Sequence, residues 1–141
     1  MGFGTAWIKA TGLTEDELRK ANMVKIFGLT LLFSFMIAFI MNSMVIHQFH
    51  ILSALMNDPD LMKEGTETNR YVMEFFSRHG NNFRTFKHGM LHGTIAAIFL
   101  AMPIIGINAL FERKSGKYIF IHTGYWIICM MLMGGIICQF T

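Results

Sequence analysis

Three long uncharged apolar runs, a chain 53% apolar but only 15% charged, and Lys and Arg gathered in segments flanking those runs predict an all-α integral membrane protein. The expected transmembrane helices are about residues 25–55, 86–111 and 117–140, with an amphipathic N-terminal helix and an interfacial helix in the 57–87 loop. At 141 residues and a mean hydropathy of +0.44, residues 1–141 are expected to form a single helical transmembrane domain.

Residues 1–22 are polar to amphipathic and lack the basic start and immediate apolar core of a cleavable signal peptide. Thr14-Glu15-Asp16-Glu17 reads as a capping box, in which the Thr14 hydroxyl and the Glu17 carboxylate each satisfy the other's backbone N–H. A helix is therefore expected from about Thr14, running straight into the bilayer. Residues 26–46 carry no charge over 21 positions, and a helix of that length covers about 30 Å of hydrocarbon. The polar content then rises through Asn42, Ser43, His47, Gln48 and His50. At helical spacing Ser43, His47, His50 and Ala54 form one stripe of small and polar side chains, which should face other helices.

Asp58-Pro59-Asp60 and Gly65 are turn signals in the 57–87 loop. Residues 68–79 read as a short helix with Tyr71, Phe75 and Phe76 on its aromatic side, stopped by Gly80 at the C′ position. In the second span Pro103 removes one helical hydrogen bond and should kink the helix. Residues 112–117, E-R-K-S-G-K, form a tight basic turn. In the third span Tyr118, His122, Tyr125 and Cys129 share a face, and Gly134-Gly135 permits close helix packing. Cys129 and Cys138 lie roughly 13 Å apart in rise on that helix, beyond disulfide reach.

Seven Lys and Arg flank the spans on one side (Lys9, Arg19, Lys20, Lys25, Arg113, Lys114, Lys117) and five lie in the long loop. By the positive-inside rule the N-terminal segment and the 112–117 turn are cytoplasmic, with the 57–87 loop and the C-terminus outside. A net charge of +3 placed in these flanks reads as membrane orientation, not nucleic-acid binding.

The chemistry-bearing stretch is K-H-G-M-L-H-G at residues 87–93. His88 and His92 share a helix face, and His47 and His50 should lie at matching depth on the same side. Imidazole is the commonest protein metal ligand, so these four are candidates to hold a transition metal or haem, with His79 and Cys138 able to come near. Gly89, Gly93 and Ala97, and separately Gly134 and Gly135, are candidate helix-packing positions. Tyr118, His122 and Tyr125 are a candidate polar pocket, or an interface anchor built from a tyrosine–histidine hydrogen bond. Every Asp and Glu lies outside the spans, and no nucleophile–base arrangement or phosphate-binding glycine loop occurs. That argues against an enzyme and against carboxylate-driven ion coupling.

The wording of four stretches is familiar: W-I-K-A-T-G-L-T-E-D-E-L-R-K-A-N-M at 7–23, H-G-M-L-H-G at 88–93, I-N-A-L-F-E-R-K-S-G-K-Y at 107–118 and G-Y-W-I-I-C-M-M-L-M-G-G-I-I-C at 124–138. Together they resemble the uncharacterised bacterial integral-membrane family called domain of unknown function 1761. The resemblance implies a bacterial inner-membrane location and brings no established activity. It also implies a four-span pattern whose first span precedes an F-G-x-x-W stretch. Here F-G-T-A-W (Phe3–Trp7) begins almost at Met1, so the chain is expected to lack that first span and to pack against something in its place.

The function expected from all this is a non-catalytic accessory subunit, working through helix association in a homo-oligomer or with other membrane subunits in the lipid bilayer. The alternative is a metal- or haem-binding membrane protein using the histidines. The third reading is a transporter or enzyme for a small molecule or lipid, resting on Pro103 and His122.

Overall fold

A computed structural model describes residues 3–112 and 114–141, so Arg113 of the basic turn lies outside the described residues. Three helices are long and apolar enough to cross a membrane, and no strand occurs among the described residues.

The N-terminal segment is two helices before the first span, where one was expected to run on. Helix α1, Phe3–Thr11, ends at Gly12, whose φ of +77° is open to glycine at little cost. The Thr14 capping box forms as expected and starts α2, Glu15–Arg19. The chain then breaks, and α3, Met23–Val45, begins afresh with Asn22 Oδ1 accepting the Lys25 N–H at 3.0 Å. A second cap within ten residues is the local reason: Asn22 competes with helix continuation for the backbone.

Helix α3 is the first span. Short α4, Phe49–Ala54, follows it after a break at Ile46, and α5, Glu67–His79, lies in the loop. Gly80 closes α5 in a right-handed conformation (φ −57°), not the left-handed one expected of a C′ glycine. The left-handed residue of this loop's second half is Phe83.

The second span is α6, Phe86–Ala96, a π-helical turn at Ala97–Ala101, and α7, Met102–Phe111. The expected disturbance at Pro103 is realised as that π turn. Pro103 has no N–H for the carbonyl one turn back, and the Met102 N–H reaches five residues back to the Ala97 carbonyl. Helix α8, Gly116–Phe140, is the third span, started by the Ser115 hydroxyl accepting the Tyr118 N–H.

Helices α6 and α8 pack at backbone distance because four glycines face across their contact. A Cβ on Gly89 would collide with the Gly134 carbonyl, one on Gly93 with the Met130 carbonyl, and one on Gly135 would lie 2.7 Å from the Phe86 ring. Ala97 is fully buried beside them. The small-residue faces singled out in the sequence are thus used within one chain. The first span joins this pair by its C-terminal half, where Met41, Val45 and, just beyond the helix, Ile46 are buried with Ala96, Ala97, Met130 and Cys138, and Ile37 packs on them. Its outward face stands away, with Phe35 and Phe39 each 70% exposed, the surface expected against lipid.

In the loop, Asp58 accepts the Asp60 N–H and the Thr68 hydroxyl, both at 2.8 Å. These bonds, the backbone one foremost, hold its carboxyl below the usual carboxylate range. A depressed carboxylate stabilises the loop fully above its unfolded value of about 3.9 and loses that contribution as pH falls through the lower folded value. Asp58→Ala should therefore speed amide exchange across residues 58–69 at neutral pH, measured by mass spectrometry. That difference from wild type should vanish in strong acid.

Candidate metal centre

The site is assembled at the break after α3. Ile46 is extended (φ −106°, ψ 100°), and two turn bonds follow, from the Phe49 N–H to the Ile46 carbonyl and from the His50 N–H to the His47 carbonyl. This tucks Ile46 and Gln48 inside, where Gln48 is only 6% exposed. Its Nε2 donates to the carbonyls of His79 (3.0 Å) and Asn82 (2.9 Å), tying the loop down over the end of the first span. Phe83 follows with φ +63°, a conformation rare for a bulky residue, and its ring lies 5.8 Å from His47 and 5.1 Å from His88.

The opposite wall is set by the start of α6. The Thr85 hydroxyl accepts the His88 N–H at 3.3 Å, and Gln139 on α8 accepts the otherwise orphaned Phe86 N–H at 3.0 Å. His88 and His92 therefore project from the first two turns of a helix clamped to α8 by glycines. His47 projects from the turn that leaves α3.

Three imidazoles meet there. His47 Nε2 lies 2.8 Å from His88 Nε2, so one ring donates and the other accepts, which requires the accepting ring to be neutral. Ring centroids are 5.0 Å apart for His47–His88, 4.9 Å for His47–His92 and 4.6 Å for His88–His92. One ligand nitrogen from each falls within 4.8 Å of the others, and no carboxylate or thiol belongs to the group.

The remaining residues singled out in the sequence stand elsewhere. His50 turns back, its Nδ1 bonded to the His47 carbonyl at 3.2 Å, because the break at Ile46 ends the stripe that an unbroken helix would have made. His79 pairs through Nδ1 with the Asn82 amide at 3.1 Å and rests on Phe75. Cys138 is buried under the site, its thiol donating to the Phe83 carbonyl at 3.3 Å. Tyr118, His122 and Tyr125 lie at the opposite end of α8, where Tyr118 stacks on His122 with centroids 4.2 Å apart.

Two residues that shape the site are not marked as site residues by the sequence. Gln48 shows there only as part of a polar exit from the first span, and nothing local says that it reaches the loop. Phe83 carries no signal at all, since its left-handed backbone is imposed by the contacts around it.

Residues 1–138 match the family described as Protein of unknown function (DUF1761). The chain belongs to this family. No curated protein and no solved structure matches the chain. Family membership agrees with the resemblance drawn from the four sequence stretches and assigns no role to the histidines, so whatever they do has to be argued from their geometry.

Proposed function

We propose that this chain is a multi-pass membrane protein that holds a transition-metal ion among His47, His88 and His92. The observation that carries the reading is the convergence of three imidazoles, two from the start of α6 and one from the turn that leaves α3. Ligand nitrogens of a tetrahedral site with metal–nitrogen bonds of about 2.0–2.1 Å stand about 3.3 Å apart. The group's 2.8 Å contact and 4.8 Å limit bracket that spacing. Three neutral imidazoles suit zinc, copper, nickel or iron, and leave a position open for water or a fourth ligand. Haem is disfavoured, because a macrocycle needs an open slot between two opposed imidazoles and His47 and His88 are in direct contact. In the orientation drawn from Lys and Arg, the ion sits at the outer face of a bacterial inner membrane.

The test is titration of detergent-purified protein with Co²⁺, following its visible absorption, with zinc as competitor. One saturating equivalent is the expected result, and no saturable binding of either ion sinks the reading. Protons compete with metal for imidazole, so the bound ion should also be released on acidification.

A second reading, helix association with further copies or another membrane subunit, is favoured by the stance of α3. An apolar cleft of about 450 Å³ opens between it and the other spans, walled by Met36, Ile40, Met44, Leu100, Ile104 and Trp126. Native mass spectrometry from mild detergent tests it, and a lone monomer is the result against it.

A further inference from the structure

Phe83 stands where neither burial nor backbone preference would put a phenylalanine. Its φ of +63° lies in the left-handed region, which costs a bulky side chain free energy that glycine would avoid. Its ring is 63% exposed, so little core burial offsets that cost. What the ring does lie against is the histidine site. Its centroid is 5.1 Å from that of His88, tilted by 31°, and 5.8 Å from that of His47, edge-on at 82°. We propose that Phe83 is a positioning residue of the metal centre, its ring holding the imidazoles of His47 and His88 in the orientation that brings their Nε2 atoms together. The proposal rests on the metal-binding reading of the three histidines and adds the group that orients two of them.

Two further observations support it. First, the strained backbone is held from both sides. The Phe83 carbonyl accepts the Cys138 thiol at 3.3 Å and the Thr85 N–H at 2.9 Å. Just before it, Gln48 Nε2 donates to the Asn82 carbonyl at 2.9 Å; just after it, Gln139 Oε1 accepts the Phe86 N–H at 3.0 Å. Bonds from the turn after α3 and from the end of α8 thus fix residues 82–86. A strained conformation persists only where its surroundings over-determine it in this way.

Second, the contact between the two imidazoles needs support. His47 is exposed and lies in a turn outside any helix, and His88 is half-buried. Water competes for their nitrogens, and both rings lose rotamer freedom to keep one geometry, so the 2.8 Å bond is weak by itself. An aromatic ring packed on both imidazoles removes their alternative orientations. His92 has less need of it, because it projects from the second turn of α6, a helix already clamped to α8.

The experiment compares detergent-purified wild type with Phe83→Gly, Phe83→Ala and Phe83→Tyr. Glycine suits the left-handed backbone better than alanine does, so Phe83→Gly should melt no lower than Phe83→Ala. Both should nevertheless bind Co²⁺ about tenfold or more weakly than wild type, the loss common when a group that orients a metal ligand is removed, whereas Phe83→Tyr should keep wild-type affinity. A second measurement needs no metal. In the bonded pair one ring donates from Nε2 and the other accepts there, so the neutral acceptor must carry its proton on Nδ1. Long-range proton–nitrogen NMR of metal-free protein at alkaline pH should show that fixed tautomer in wild type and Phe83→Tyr, and a mixture in Phe83→Gly. Wild-type affinity in either ringless variant overturns the proposal. So does recovery in Phe83→Gly alone, which would make the backbone and not the ring the active part. If wild type binds no Co²⁺ while its tautomers still depend on Phe83, the metal reading fails and the positioning role stands.

Discussion

Replacing His88 and His92 together by alanine is expected to abolish stoichiometric metal binding. The double variant leaves His47 as one monodentate imidazole beside Phe83, which cannot hold an ion against water. Disturbing even the hydrogen-bond partners of a metal ligand commonly costs 10–100-fold in affinity, so removing two of three ligands should cost roughly 100-fold or more. Elemental analysis and the Co²⁺ spectrum measure this directly. His50→Ala and His79→Ala serve as controls, because both side chains are bonded elsewhere and should leave the ion in place. Full metal content in the double variant, or equal loss in the two controls, would sink the assignment of these three residues. The variant is also expected to keep its fold, since the bonds that clamp α6 at Thr85 and Gln139 involve the backbone, not the imidazole rings.

The largest loss of stability is expected from Gly93→Leu. A Cβ at Gly93 runs into the Met130 carbonyl, backbone that no rotamer change can move, so α6 and α8 must separate. Overpacking of this kind typically costs about 1–3 kcal/mol, and more where backbone must shift. Separation also weakens the van der Waals attraction along the rest of the glycine seam, which in lipid is the main force between helices. Unfolding in mixed micelles with increasing SDS, followed by circular dichroism, measures the total. Gly28→Ala and Gly106→Ala give the contrast: neither added methyl meets an atom within 4 Å, and each helix should gain up to about 1 kcal/mol from the reduced flexibility of the chain. Equal destabilisation by all three substitutions would mean that the cost does not lie in the packing of α6 on α8, since Ala and Leu both favour the helix over Gly.

These two expectations draw on different degrees of legibility. The glycines are visible in the sequence as small-residue faces, but nothing there says which partner they meet. Helix association inside one chain and between chains obeys the same packing physics, and only the arrangement of α6 against α8 distinguishes them. The pair His88 and His92 is legible because four residues is one helical turn. His47 is legible as a candidate by its depth, but so is His50, and a continuous helix would have presented both. Ile46 separates them. Neither Gly nor Pro marks that break; it follows from burying Ile46 and turning Gln48 toward carbonyls more than thirty residues away.

What the sequence determines by itself is whatever depends on neighbours within a turn or on solvent. Uncharged runs of twenty-odd residues make spans, because backbone polar groups in lipid must be satisfied inside the helix. Thr14 with Glu17 starts α2, and Pro103 forces a disturbance in the second span, because each acts on backbone groups within one turn. What the tertiary structure decides is everything that needs two distant segments at once: the left-handed Phe83, the loop held by Gln48, and which three of six histidines share a point in space. Those depend on contacts that close long loops, and no local preference of Ile46, Gln48 or Phe83 encodes them.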